Sequence, residues 1–253
     1  MTKQLLDLRI VSRRRLPGGM WHLVFSRADG EPMPAVLPGQ FAQIRIDGTL
    51  LRRPISISDV PDPMHLHMLV RPVGDATSRL CSAAEGSVFN VLLPLGRGFT
   101  PAGAGDKVLL VGGGVGCAPL VMLCRSLVAA GAEVTVAIGG RTAADVDALP
   151  EMYPGARVAV STDDGSRGHH GLVTTLPEMA LDYSRICTCG PTPMMKAVAR
   201  MARERGIDCE VSLENMMACG LGACLCCIEK TVEGNVCVCT EGPVFNINRL
   251  TWQ

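Results

Sequence analysis

Four cysteines near the end of the chain have the spacing of an iron–sulfur ligand set. Cys219, Cys224 and Cys227 form a C-x4-C-x2-C pattern, and Cys239 follows farther along the chain. This is the plant-type spacing for a 2Fe–2S cluster. Such a cluster needs four converging thiolates, and the glycines inside the pattern allow a loop tight enough to bring the first three together. The sequence therefore predicts that these four cysteines bind a 2Fe–2S cluster.

Two alternatives accompany this prediction. Cys226 and Cys237 lie in the same stretch and could compete for the irons, although each falls one or two positions off the spacing. A zinc site would make the stretch a non-enzymatic interaction module, but zinc prefers two C-x2-C pairs or mixtures of cysteine and histidine. The colour and flavin content of the purified protein would separate these possibilities.

A glycine-rich loop in the middle of the chain has the features of a dinucleotide site. The apolar run at residues 107–111 is typical of a buried parallel strand, and an apolar helix follows the loop. A strand, a glycine loop and a helix together form a phosphate site at the helix N-terminus. Cys117 occupies the third glycine position of the motif, so an ordinary tight turn remains the alternative. The loop glycines are Gly112, Gly113, Gly114 and Gly116.

Two later segments should lie beside this loop. Asp163-Asp164 follows one predicted strand, and Cys189-Gly190-Pro191 follows another. Ligands of open parallel sheets bind at the carboxyl ends of the strands, so both segments should line the same cleft. A solvated turn for the aspartates and a buried small apolar side chain for Cys189 are the alternatives.

The first hundred residues carry short alternating strands separated by glycine and proline, a pattern typical of a small antiparallel barrel. In the segment Arg53-Pro54-Ile55-Ser56, an arginine could pair with a pyrophosphate and a serine could hydrogen-bond a flavin ring. An edge strand with a surface arginine is the alternative. Farther on, Thr77-Ser78 should open a helix as a hydroxyl N-cap, which is also an anion site.

These elements predict a mixed β and α/β chain. An N-terminal antiparallel β-barrel should span residues 1–101, a doubly wound parallel sheet residues 102–211, and a small cluster module residues 212–253. The 253 residues carry no net charge, which gives no indication of nucleic acid or an anionic membrane as a partner. No apolar run is long enough for a membrane span. With 12 cysteines and no apolar leader, a cytoplasmic location is expected.

Taken in order, the three segments resemble the ferredoxin reductase superfamily. Within it, RRPISI, LPLGRGF, GGGVGCAPL, STDDGSRGHHGLVT, CGPTPMMKAV and CGLGACLCC…CTEGPVF resemble the electron-transfer subunits of B-type, NAD-dependent dihydroorotate dehydrogenase. The similarity covers nearly the whole chain. It implies that the glycine loop with Cys189, Gly190 and Pro191 binds NAD and that the four cysteines hold the cluster. It further implies FAD contacts at Arg53, Pro54, Ile55, Ser56, Leu69, Val70, Arg71, Ala76 and Thr77.

The resemblance implies electron transfer, with no catalytic residue for dihydroorotate on this chain. A separate FMN-containing catalytic subunit would oxidise dihydroorotate, and electrons would pass through 2Fe–2S to FAD and then to NAD+. The implied assembly is a heterotetramer with two copies of each subunit, although the residues themselves give no stoichiometry.

A second enzyme interpretation is a subunit of a ferredoxin:NADP oxidoreductase or sulfide dehydrogenase complex. Such subunits commonly carry aspartate where Cys219 stands here. The choice between NAD and NADP distinguishes this alternative from the first interpretation. No acidic residue lies clearly about 20 positions past the glycine loop, where a ribose ligand is expected. Arg141 lies nearby instead and could tolerate a 2′-phosphate, whereas the resemblance indicates NAD.

Overall fold

A computed structural model describes residues 2–101 and 103–252. The N-terminal part forms a curled antiparallel sheet with the strand order β4-β3-β7-β1-β2-β6-β5. Its strands are β1 (Gln4–Arg15), β2 (Trp21–Arg27), β3 (Phe41–Ile44), β4 (Arg53–Ser56), β5 (Asp59–Asp62), β6 (His65–Val70) and β7 (Val88–Leu95). Alternate side chains of β1 and β2, such as Leu8, Ile10, Leu23 and Phe25, fill the concave face, because successive residues of a strand point to opposite sides. The predicted antiparallel barrel is confirmed as a curled half-barrel.

The first helix corrects one prediction. Helix α1 (Asp75–Ser82) begins two residues before Thr77 and has Gly74 as its N-cap. The Thr77 hydroxyl therefore lies inside the first turn and accepts hydrogen bonds from the amides of Val73 at 3.0 Å and Gly74 at 3.3 Å. The prediction that Thr77-Ser78 opens the helix is wrong, because the helix begins at Asp75 and Thr77, at its third position, bonds back to the amide of the N-cap residue Gly74.

The second sheet is mainly parallel, with the order β11-β10-β9-β8-β12-β13-β16. Consecutive strands run outward from β8 in one direction and then in the other, which is the doubly wound arrangement with a switch point between β8 and β12. The strands are β8 (Lys107–Gly113), β9 (Glu133–Gly140), β10 (Arg157–Thr162), β11 (His169–His170), β12 (Arg185–Cys189), β13 (Asp208–Ser212) and β16 (Val244–Asn246).

Helices cover both faces of this sheet. Helix α2 (Ala118–Ala129) packs on one face with Val108 and Leu110 of β8. Helix α4 (Thr192–Glu204) packs on the other face with Leu109 and Val111. Since neighbouring residues of one strand enter different cores, the continuous apolar run of β8 follows from burial on both sides. A short helix, α3 (Ala143–Val146), follows β9, and no helix in the described residues is long and apolar enough to cross a membrane.

The C-terminal segment joins both sheets. It contains the hairpin strands β14 (Ile228–Thr231) and β15 (Gly234–Cys237), the turn of helix α5 (Val238–Glu241) and strand β16, which pairs antiparallel with β13. The amide of Arg97, just after β7, donates to Gly242 O. The proposed division at residues 101/102 and 211/212 stays a prediction, and Met1, Ala102 and Gln253, at three of its limits, lie outside the described residues.

Candidate cofactor-binding sites

Backbone amides of the cysteine loop point at the predicted ligand sulfurs. Leu221 N lies 3.3 Å from Cys219 Sγ, and Gly222 N lies 3.1 Å from Cys239 Sγ. The amide of Cys239 is 3.4 Å from Cys227 Sγ. Amide donors stabilise negative charge on sulfur and are among the features that set the potential of an iron–sulfur centre. This donor set fits a thiolate-bound cluster.

The loop reaches this shape through left-handed backbone. Gly220 has a φ of 71° and Gly222 a φ of 82°, and Leu225, without the freedom of glycine, has a φ of 56°. A left-handed leucine is strained and persists only where its surroundings hold it. Of the predicted ligands, Cys227 and Cys239 are buried, Cys219 is half-buried and Cys224 is exposed, so the predicted cluster site lies between the protein interior and the surface.

Among residues 2–101 and 103–252, no group of three or more His, Cys, Asp or Glu side chains is placed to hold a metal ion. Of the competing cysteines, Cys226 is exposed, and Cys237 Sγ lies 3.6 Å from Gly222 O.

The acidity of the thiols differs across the loop. Burial alone would raise the pKa of Cys219, but hydrogen bonds from loop amides, led by that of Leu221, lower it to about 6. Burial, followed by the neighbouring Cys227, raises the pKa of Cys239 to about 12. Metal coordination deprotonates a thiol outright, so a bound cluster would hold Cys239 as a thiolate.

Most residues predicted to bind FAD come together in one cleft of about 430 Å³, the flavin cleft. Pro54, Ile55 and Ser56 line it from β4, and Leu69 and Val70 line it from the end of β6. Arg53, Arg71 and Thr77 also line this cleft. Ala76 lines an adjoining cavity of about 330 Å³ that shares Arg53, Val73 and Thr77 with the first. The shared lining residues place the two cavities side by side, with α1 at the smaller cavity and the end of β6 at the larger.

Both arginines of the flavin cleft are held by protein groups. Arg71 donates to Asp145 Oδ1 at 3.0 Å and to Gly18 O at 3.1 Å. Burial alone would raise the pKa of Asp145, but the hydrogen bond and charge of Arg71 hold it below its ordinary value. Arg53 donates to Leu51 O at 2.8 Å. Arg71 therefore links the curled sheet to α3 of the parallel sheet as well as lining the cleft.

Part of the lining of the flavin cleft comes from the far end of the chain, which sequence reasoning missed. Residues 212–217 and Pro243 line the cleft. Ser212 is the last residue of β13, and β16 begins at Val244 beside it. The pairing of these two strands joins parts of the chain that are far apart in sequence, so no local signal indicated this lining.

A second cleft, of about 490 Å³, lies at the carboxyl ends of the parallel strands. It contains the predicted Gly113, Gly114, Gly116, Gly190 and Pro191, together with Asp163. Gly139, Gly140 and Arg141 at the end of β9 also line it, as do residues 172–174. This is the position at which an open α/β sheet binds a nucleotide.

Two predicted nucleotide residues do not line this cleft. A Cβ on Gly112 would lie 2.5 Å from Cys117 Sγ, so this glycine makes room for the side chain in the third motif position. Cys189 is buried, and its Sγ lies 3.9 Å from Glu214 Oε1. Burial raises the pKa of Cys189 well above its ordinary value, so the thiol remains protonated.

The two clefts meet. Arg71, Val115 and Glu214 line both of them, so ligands filling the clefts would be in contact. Burial raises the pKa of Glu214, with the Cys189 thiol acting in the opposite direction. A carboxyl group with a raised pKa at the junction is suited to hold a proton there.

Comparison with known proteins agrees with this arrangement. The protein-family model for the iron-sulfur cluster binding domain of dihydroorotate dehydrogenase B matches residues 214–251. Among solved structures, the NADH-dependent reduced ferredoxin-NADP oxidoreductase superposes with a TM-score of 0.85 and 30% identity over 97% of this chain and 90% of that one. The ferredoxin reductase of carbazole 1,9a-dioxygenase superposes at 0.70 with 22% identity, over 82% and 67% of the two chains, and shares the fold.

Curated relatives span nearly the same length. The electron transfer subunit of dihydroorotate dehydrogenase B (NAD(+)) from Shouchella clausii is 41% identical over 84% of this chain and 86% of its own. The protein of that name from Desulforamulus reducens is 36% identical over 99% of both chains. Because these relatives are 41% and 36% identical over most of both chains, the chain belongs to the family of electron transfer subunits of dihydroorotate dehydrogenase B (NAD(+)).

Proposed function

We propose that this chain carries electrons from an FMN-containing dihydroorotate dehydrogenase subunit to NAD+ in pyrimidine synthesis. One observation carries the proposal: the segment leading into the cluster loop also lines the flavin cleft, and that cleft adjoins the nucleotide cleft. When bound, the 2Fe–2S cluster exchanges single electrons, and FAD couples them to the two-electron reduction of NAD+. The names of the relatives support the same function.

The residues of the chain would bind and orient the cofactors. Ser56 of β4 and residues 214–217 line the same flavin cleft, so a flavin bound there would contact both segments. Gly113 and Gly114 open the nucleotide cleft beside it. Glu214 can hold a proton where the two clefts meet, because its pKa is raised.

We further propose that the outer side of the cysteine loop binds the catalytic subunit. Met216 is 83% exposed, Leu225 62% and Leu221 49%, and the chain carries no Asp, Glu, Lys or Arg between Glu214 and Glu229. Clustered exposed apolar side chains normally mark an interface. Cys224 is also exposed, so the partner would lie next to the cluster. The proposed assembly contains two copies of each subunit.

Co-expression with the FMN-containing subunit tests the proposal. The complex should reduce NAD+ with dihydroorotate, whereas this chain alone should show only NADH diaphorase activity with an artificial acceptor. Oxidation of dihydroorotate by the isolated chain would refute the assignment of roles, as would two proteins that elute separately after co-expression.

A second candidate is a subunit of a ferredoxin:NADP oxidoreductase or sulfide dehydrogenase complex. Arg141 in the nucleotide cleft could pair with a 2′-phosphate, and an NADH-dependent reduced ferredoxin-NADP oxidoreductase superposes over most of the chain. Asp163 lines the same cleft and would repel that phosphate. Diaphorase rates decide between them: a preference for NADH supports the main proposal, and a clear preference for NADPH supports the alternative.

The cysteine chemistry supports a reducing compartment. None of the 12 cysteines, all within the described residues, forms a disulfide, and eight of them are buried. Buried free thiols are typical of proteins kept under reducing conditions, and we propose a cytoplasmic location.

A further inference from the structure

Gln43 faces the cluster segment from the curled sheet. Its neighbours in β3, Ala42 and Ile44, point into the concave core of that sheet. Because strand side chains alternate, Gln43 shares the other face with Phe41. Phe41 packs in the same buried group of side chains as Cys227 and Cys239. Gln43 therefore lies on the side of the sheet on which the cluster segment docks.

The side-chain amide of Gln43 is buried without hydrogen-bond partners. Its exposure is 0%, and neither Nε2 nor Oε1 has a partner among the residues that the structure describes. A glutamine amide carries two N–H donors and a carbonyl acceptor, and native proteins rarely bury such groups unpaired. An unpaired amide at this place indicates that its partner belongs to the loaded protein.

The nearest part of the cluster loop is the residue after the first ligand. A Cβ on Gly220 would lie 2.8 Å from Gln43 Cγ and 3.3 Å from Gln43 Nε2, so the amide lies directly under the loop that begins at Cys219. In the backbone register, Gln43 lies opposite Pro54 of β4, the strand that carries the predicted flavin segment.

We propose that the Gln43 amide donates a hydrogen bond to a sulfur of the bound iron–sulfur cluster, either the Cys219 thiolate or a sulfide. Reduction adds negative charge to the cluster, and a donor stabilises the reduced form more than the oxidised form. Gln43 would therefore raise the reduction potential, since hydrogen bonds to the sulfurs are among the features that set it. The inference rests on the cluster and does not depend on which subunit supplies the electrons.

The test compares Gln43→Met, which keeps the length of the side chain and removes its polar atoms, with the wild-type full chain carrying cluster and FAD. In a redox titration followed by electron paramagnetic resonance, we expect about a tenfold lower ratio of reduced to oxidised cluster at a fixed potential. For a one-electron couple this is a midpoint about 59 mV lower. Proton ENDOR in H2O and D2O should show one exchangeable coupling fewer than in the wild type.

Gln40→Met is the matched control. Gln40 is also buried, but its amide is satisfied by the protein: Oε1 accepts from Leu37 N at 2.8 Å and Nε2 donates to Gly96 O at 2.8 Å. This change should lower the melting temperature and leave the cluster potential unchanged. An equal fall in potential in both variants would overturn the proposal, because it would reflect general loosening.

Cluster-free protein supplies a second measurement. Without the cluster, Gln43→Met removes two unpaired polar atoms, so it should leave the melting temperature unchanged or raise it. In the loaded chain it should make iron release to a chelator faster. An unchanged midpoint and unchanged ENDOR couplings in Gln43→Met would show that the amide does not contact the cluster.

Discussion

Replacing Gly220 with alanine should weaken the cluster site much more than the same change at a comparable glycine elsewhere. Gly220 has a φ of 71°, and a Cβ there would lie 2.8 Å from Gln43 Cγ and 3.1 Å from Leu95 Cδ1. The left-handed backbone costs about 1–2 kcal/mol for a residue with a Cβ. Both neighbouring side chains are fully buried and cannot swing away, so the overlap adds about 1–3 kcal/mol.

Gly206 separates these two contributions. Its φ is 64°, and no atom of the described residues lies within 4 Å of a Cβ placed on it. Gly206→Ala should therefore lower the free energy of unfolding by the backbone cost alone, about 1–2 kcal/mol. Gly220→Ala should lower it by about 2–5 kcal/mol, the sum of both contributions, and displace the loop that carries Cys219.

Two measurements check this reasoning. The first is the urea midpoint of each variant, because at constant slope it reports the change in stability. The second is iron per chain after anaerobic purification, with the rate of iron release to a chelator. We expect Gly206→Ala to keep its full iron content and Gly220→Ala to lose iron. Equal iron retention in the two variants would refute the argument that close packing of Gly220 on the curled sheet holds the cluster loop.

The remaining predictions concern ligands, partner and pH. Cys226→Ser and Cys237→Ser should keep about two irons per chain, as a 2Fe–2S centre requires. Replacement of Cys219, Cys224, Cys227 or Cys239 by serine should destabilise the cluster or abolish its binding. Loss of iron in the first two variants and retention in the other four would mean that the ligand set is wrong. Leu221→Glu should weaken the complex with the FMN-containing subunit on size-exclusion chromatography while FAD remains bound. Burial, followed by the charge of His67, lowers the pKa of His22 from 6.5 to about 4. The neutral form is thus favoured in the folded state, and stability present above pH 6.5 should fall as pH drops towards 4. His22→Gln should flatten that fall in urea unfolding at pH 4–7.

Sequence reasoning was confined to those parts of the candidate site that lie close together along the chain. The cysteine set, the glycine loop and the segment of β4 were each recognised from a few neighbouring residues, and their roles as ligands stay predictions. The helix start near Thr77 was misplaced, because its hydroxyl serves the helix from the first turn. Gly112 and Cys189 belong to the predicted motifs, yet Gly112 lies against Cys117 and the side chain of Cys189 is buried. Motif membership does not specify which side of a strand a residue faces.

Long-range contacts were beyond sequence reasoning. By alternation alone, Gln43 would be placed on the solvent side of a half-buried strand, as a polar residue between Ala42 and Ile44. It is buried because the cluster segment, some 180 positions farther along the chain by residue number, covers that face. A polar residue on the outer face of a strand gives no signal of whether a later segment will cover it.

The return of the chain end to the curled sheet explains how one polypeptide brings the three sites together. The cluster segment follows the parallel sheet in sequence, yet it lines the predicted flavin cleft together with residues of the curled sheet. Strand β16 pairs beside β13, and this places Pro243 in the flavin cleft. The adjoining turn is fixed to the curled sheet by the bond from Arg97 N to Gly242 O and by the Arg97–Glu241 ion pair of 2.9 Å. The ion pair is exposed and adds little stability, so the backbone bond and the packing of Gly220 on Gln43 carry the connection. Electron transfer between the cluster and the flavin therefore depends on the same packing that holds the cluster loop in place.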